Sequence, residues 1–298
     1  MTVEPAVTAR SDRRFRCTWA VSLALLFAML TGCAGIEPDP SGSAASSDAD
    51  SASGTRRDQA RTADELRAEF AEFASKLPGE VAVAWAAVGS RQGTQSLGSV
   101  QDEDAWSTAK VPLAVARLRL AGGKFDERTT EVLRRAITNS DNEAAEVLWR
   151  GLGSPTKAVA ILQSVLRDAG DEGTKFSSQA FGRSLWTTRD QAQFAAGLPC
   201  LPHGPTVLDL MDEITVEHRW GLANAALPAQ YKGGWGIGKH GLLVRQFGVV
   251  RTPDQRQVGI SIATMPHTTD LTVATSNLDA VARWMAARLG PADGGACA

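Results

Sequence analysis

The chain has 298 residues, 43% of them hydrophobic, with 31 basic side chains against 33 acidic ones for a formal net charge of -2. That length and apolar content allow one large core, and near-balanced charges scattered along the chain exclude a basic nucleic-acid-binding surface. Four histidines and four cysteines occur, none in CxxC, HxxxH or HExxH spacing, so neither a metal site nor a cofactor is expected.

The first elements in chain order are targeting signals. Arg10, Arg13, Arg14 and Arg16 precede an apolar run from Trp19 to Leu30 that is too short to span a bilayer comfortably, so residues 1–32 read as a signal peptide. Leu30-Thr31-Gly32-Cys33 has the lipobox pattern of bacterial lipoproteins, in which Cys33 becomes the lipidated N-terminus. The expected address is the outer face of a bacterial cell membrane, held there through the lipid. Residues 33–60, mostly Ser, Ala, Asp and Gly, bury too little apolar surface to fold and read as a disordered linker. Cys200 and Cys297 would meet an oxidising compartment, where a disulfide and two free thiols are both open to them.

Residues 61–290 carry the folded domain, and 291–298 form a tail. Thr62 and Glu65 make a capping box ahead of Leu66, Phe70, Phe73 and Leu77 at helical spacing. Val81 to Val88 and Thr94 to Val100 read as a hairpin. From Ser107 to about Gly170 the pattern is helical, with breaks at Gly122-Gly123, Asn139 to Asn142 and Gly151 to Pro155. Strands return at Tyr231 to Gly236, Val244 to Arg251 and Val258 to Met265, and Leu278 to Leu289 closes the chain as a helix. Strands at both ends of a helical middle predict an α+β sandwich. It consists of a five-stranded antiparallel sheet flanked by the terminal helices and a separate all-helical lobe, with a cleft between sheet and lobe.

The chemistry lies around that cleft. Ser107-Thr108-Ala109-Lys110 places a hydroxyl and an ammonium three residues apart, on one face of a helix, and Pro112 fits a first helical turn. A lysine desolvated beside a second cation can act as the base that activates a serine nucleophile. The SxxK pattern alone is weak and recurs at Ser154-Pro155-Thr156-Lys157, where Ser154 reads as a helix cap. More discriminating is Ser140-Asp141-Asn142.

With this tripeptide the chain resembles the serine β-lactamase and penicillin-binding-protein superfamily, and class A β-lactamases in particular. The segments that carry the resemblance are Ala136 to Ala145 with Gly151 to Pro155, Ser107 to Leu113, and Lys232-Gly233-Gly234-Trp235 preceded by Trp220-Gly221-Leu222. The resemblance implies that Ser107 is acylated by a β-lactam or peptidoglycan-like amide, that Lys110 is its base, and that Ser140 passes a proton to the leaving nitrogen. It further implies that Asn142, Lys232, Gly234 and Trp235 bind the substrate, with the backbone N–H groups of Ser107 and Trp235 as an oxyanion hole. A monomer is expected.

Three departures qualify this. Gly233 stands where the family has a hydroxyl that contacts the substrate carboxylate. Phe176 to Thr188 contains no carboxylate where the family carries its deacylating glutamate, and an amide such as Gln179 cannot replace it as a base. Only 33 positions separate Ser107 from Ser140, fewer than in the family, which implies a more open cleft. Acylation is therefore expected with weak deacylation. The rival reading is a non-catalytic envelope lipoprotein that keeps the fold as a binding or scaffolding module.

Overall fold

The computed structural model describes residues 62–298 apart from residue 92, so the signal segment, Cys33 and the linker lie outside the described residues. Helix α1 (Ala63–Ala74) opens on the expected capping box: the Glu65 amide donates to Thr62 Oγ1 at 3.2 Å and the Thr62 amide to Glu65 Oε2 at 2.8 Å. Strands β1 (Gly79–Ala87) and β2 (Gln95–Gly98) follow, and β3 (Ala229–Gly238), β4 (Gly241–Arg251) and β5 (Gln257–Pro266) come late in the chain. All five pair antiparallel in the order β2-β1-β5-β4-β3, which leaves β3 on an edge.

Strand alternation assigns the helices to the two faces of this sheet. On β5, Thr264 Oγ1 accepts from Asn277 of α8 (Leu271–Ala286) at 3.1 Å, and α1 lies on that same side, with Phe70 and Phe73 packed on Trp284 of α8. Gly259 and Ser261 point the other way, toward α6 (Thr188–Gly197): a Cβ at Gly259 would lie 2.2 Å from the Ala196 nitrogen, and Ser261 Oγ donates to Gln191 Oε1 at 2.8 Å. The terminal helices thus cover one face only. The other is covered by α6, whose buried side carries Gln191 and Gln193 alongside Ala192, Phe194, Ala195 and Ala196.

The helical lobe contains α2 (Lys110–Leu120), α3 (Glu127–Thr138), α4 (Asn142–Arg150), α5 (Pro155–Asp168) and α7 (Gly204–Asp212). Helix α2 is buried almost all round, as expected of the central helix of a bundle. At the start of α5 the Lys157 amide donates to Ser154 Oγ at 3.4 Å, so the second SxxK motif is indeed a cap. Cys200 and Cys297 form a disulfide with their Cα atoms 5.4 Å apart. The tail is also tied to the sheet, since Gly295 and Gln257 exchange two backbone hydrogen bonds of 2.9 Å.

Candidate active site

Ser107 lies in a short 3₁₀ turn, Trp106–Ala109, that runs directly into α2 at Lys110. The turn is fixed from below. Thr108 Oγ1 accepts from Gln191 Nε2 at 2.9 Å, Gln191 Oε1 accepts from Arg245 Nε at 3.2 Å, and Arg245 Nη1 donates to the backbone oxygens of Glu103 at 2.9 Å and Asp104 at 3.2 Å. Arg245, on β4, is fully buried, and burial pushes its guanidinium down to about 10 against the upward pull of Glu103, Asp102 and Asp104. Nothing in the sequence pattern marked Thr108, Gln191 or Arg245. A buried charge in a β-rich run was the available signal.

The Ser140-Asp141-Asn142 stretch divides its work by position. Asp141 caps α4 through a 3.0 Å bond from the Ala144 amide and pairs with Arg135. Ser140, just before it, adopts φ 56°, a left-handed conformation uncommon outside glycine. Asn142 opens α4. As a result Lys110 Nζ donates to the Ser140 carbonyl oxygen, to Asn142 Oδ1 at 2.7 Å and to Ser140 Oγ at 3.3 Å. Lys232 Nζ, on β3, donates to the same Ser140 Oγ at 2.9 Å and to the Gly233 carbonyl oxygen at 2.7 Å. Among the described contacts, Lys110 is held by Ser140 and Asn142 rather than by Ser107.

Both lysines are buried. Burial is the main reason that Lys110 is pushed down to about 8, with Asp141 opposing it. Lys232 is driven well below the usual lysine range by burial first and by Lys110 second. The two amines share one hydroxyl, among the described residues no carboxylate is hydrogen-bonded to either, and the repulsion between them falls on Lys232 while burial alone lowers Lys110.

Strand β3 presses against the nucleophile turn. A Cβ at Gly234 would stand 2.7 Å from the Ser107 nitrogen and 2.9 Å from the Thr108 nitrogen, so only glycine permits this approach. A Cβ at Gly236 would meet the Trp106 ring at 2.4 Å, and one at Gly233 would meet the Trp220 ring at 2.4 Å. The missing hydroxyl residue at 233 therefore has a physical counterpart in a tryptophan that fills its place.

Ser107, Lys110, Asn142 and Trp235 line one cavity of about 420 Å3. Its walls are Trp106, Trp149 and Phe181, together with Gln179, Ala180, Gly182 and Arg183, and Glu146 of α4 supplies a carboxylate. Trp235 packs edge-on to His218 at 5.2 Å, and Arg183 lies over the Trp106 ring at 4.9 Å while paired with Asp104 at 2.7 Å. None of the lining residues comes from 111–141, where the family spacing is shortened. The segment 176–188 contributes no carboxylate to the cavity, whereas Glu146 was not foreseen, because its only signal is a position four residues after Asn142.

No family model matches the chain, and no curated protein matches its sequence. Solved structures do. A class A β-lactamase reconstructed as the last common ancestor of Gram-negative bacteria is 20% identical and has a TM-score of 0.56, covering 74% of this chain and 98% of its own. A variant of PBP-A, solved as an acyl-enzyme complex with penicillin G, is 18% identical with a TM-score of 0.58, covering 76% of this chain and 97% of its own. Both contain nearly their whole length in the region matched here. The described body of this chain has the fold of the serine β-lactamases and penicillin-binding proteins.

Proposed function

We propose that this chain is an envelope lipoprotein, anchored through Cys33 and extended on its linker, whose body forms an acyl-enzyme on Ser107 with a β-lactam or a peptidoglycan-like amide. One observation carries this reading: Lys110, Ser140, Asn142 and Lys232 form a continuous hydrogen-bonded set, and two of its members, Lys110 and Asn142, line the same cavity as Ser107. Neutral Lys110 takes the Ser107 proton, directly or through water, and Oγ attacks the carbonyl carbon. The oxyanion is received by backbone N–H groups of Ser107 and Trp235, which the close approach at Gly234 brings together. Ser140, bonded to both lysines, hands a proton to the departing nitrogen. Release is slower than acylation, because 176–188 offers no base.

PBP-A held as an acyl-enzyme with penicillin G is the precedent among the similar structures, and it supports the substrate class proposed here. The test is to incubate the chain with benzylpenicillin and follow intact mass. A Ser107 adduct that persists for many minutes and is absent from Ser107→Ala is expected. The filled position beside Gly233 favours a second reading, a binding module without turnover. No adduct on the unaltered chain would decide for it.

A further inference from the structure

We propose that the water which releases the acyl group from Ser107 is activated by Glu146, a base supplied by helix α4 instead of the 176–188 segment. This inference rests on the acyl-enzyme reading above and concerns its second half.

Glu146 is the one carboxylate among the residues lining the Ser107 cavity. It follows Asn142 by four residues in α4, so both side chains project from the same helix face, about 6 Å apart along the axis. Asn142 Oδ1 is 2.7 Å from Lys110 Nζ, so that helix face is anchored directly to the catalytic lysine. Asn142 and Glu146 are both exposed, and water reaches them. The Glu146 carboxylate is tethered but not saturated: Oε1 pairs with Arg150 Nε at 3.3 Å, an exposed contact within one helix, and among the described residues no other ion pair holds it. A second polar group, Gln179, lines the same cavity and can orient a water without deprotonating it.

The step balances simply. Water oxygen bonds to the acyl carbonyl carbon as its proton passes to Glu146. The tetrahedral intermediate then collapses, the carbon–Oγ bond breaks, and the proton returns to Ser107 Oγ. One water is consumed, and a carboxylic acid and free serine result.

The experiment uses the full chain with benzylpenicillin, measuring adduct formation and adduct loss separately by intact mass. Glu146→Gln should form the Ser107 adduct at a rate within about threefold of the unaltered chain but lose it about 100-fold or more slowly, the scale of a general base. Glu146→Asp should recover part of the loss. Hydroxylamine, which needs no base, should strip the adduct from Glu146→Gln and the unaltered chain at equal rates. A purely structural role would not give that last result. Equal adduct loss by Glu146→Gln and the unaltered chain overturns the inference and leaves the acylation reading standing. A slowed acylation step with unchanged release also overturns it, marking Glu146 as a substrate contact. No adduct on the unaltered chain overturns both readings.

Discussion

The ring of Trp220 occupies the space that a side chain at residue 233 would need, with 2.4 Å separating its Cη2 from a Cβ built on Gly233. Restoring a hydroxyl here by Gly233→Thr alone forces a methyl and an oxygen into a buried indole, and overpacking of this kind costs about 1 to 3 kcal/mol. Pairing Gly233→Thr with Trp220→Ala should relieve the clash, so the two stability losses, read from urea unfolding, should fall short of additivity by about 1 kcal/mol or more. The double variant should also react with benzylpenicillin about tenfold or more faster than Trp220→Ala, because a hydrogen bond to a carboxylate contributes roughly 1.5 to 3 kcal/mol. Additive losses and an unchanged acylation rate would show that Trp220 does not govern this position.

Arg245 supports the nucleophile turn from underneath. Replacing it with methionine removes a buried charge and the donors it supplies to Gln191 Oε1 and to the backbone oxygens of Glu103 and Asp104, although Gln191 Oε1 keeps Ser261 Oγ and the Glu103 oxygen keeps the Trp186 amide. Removing the donor of a buried hydrogen-bonded set leaves acceptors unsatisfied at a cost of about 1 to 3 kcal/mol. Arg245→Met is expected to lose that much in denaturant unfolding, and Arg245→Lys to lose less, since an ammonium keeps the charge but not the forked geometry. Acylation of Ser107 should slow in both variants, in the same order.

These two positions mark what could be read from the chain and what could not. The strand runs, the helical breaks and the terminal capping box announced the sheet, the lobe and their order, because each depends on local chemistry within a few residues. Ser107, Lys110, Ser140, Asn142 and Lys232 were recognisable as motifs, and they converge. Helix α6 escaped notice because its buried face carries Gln191 and Gln193, whose partners are 83 and 99 residues away in sequence at Thr108 and Thr94. Glu146 carried no motif, and Trp220 was legible only as part of Trp220-Gly221-Leu222, not as the ring that fills the space beside Gly233. Their importance comes from a cavity and a steric contact that exist only after sheet and lobe have met, and no spacing rule records that.

The disulfide gives a stability prediction that is separate from the active site. Cys200 ends the segment after α6 and Cys297 is next to last in the chain, so the bond closes a loop with a sequence separation of 97. Chain entropy alone gives about 4 to 5 kcal/mol for a loop of that size. The tail stays in place without the bond, because the Gln257–Gly295 backbone pair and Asp293, which accepts from Trp85 Nε1 at 3.1 Å, also hold it, and measured losses commonly fall below the chain-entropy figure. Cys297→Ala should therefore destabilise by about 2 to 4 kcal/mol while leaving the acylation rate of Ser107 unchanged within about twofold. A larger effect on acylation than on unfolding would mean that the tail reaches the cavity by a route absent from these contacts.

Lys110 titrates in the range where its role can be read directly. Its ordinary value of 10.5 is lowered to about 8 by burial, so the folded protein holds this proton less tightly than the unfolded chain does. Below pH 8 the fold bears the full cost of a buried ammonium. Between about 8 and 10.5 the unfolded chain binds more protons, so this residue's contribution makes stability rise with pH; above that range the cost is gone. Acylation needs the neutral amine, and its rate with benzylpenicillin should rise through a limb centred near pH 8 and then level off. Lys110→Arg, which has no neutral form in this range, should acylate at least about 100-fold more slowly and show no limb. In Lys232→Gln the limb should stay near pH 8, because burial and not Lys232 is what lowers Lys110. His218 and Asp141 also face this cluster, with His218 held below the usual histidine range by burial and then by Lys232, and Asp141 held low mainly by the Ala144 amide. Both are therefore past their own titrations by pH 8. A pH profile that stays flat from 7 to 9 in the unaltered chain would rule out Lys110 as the base.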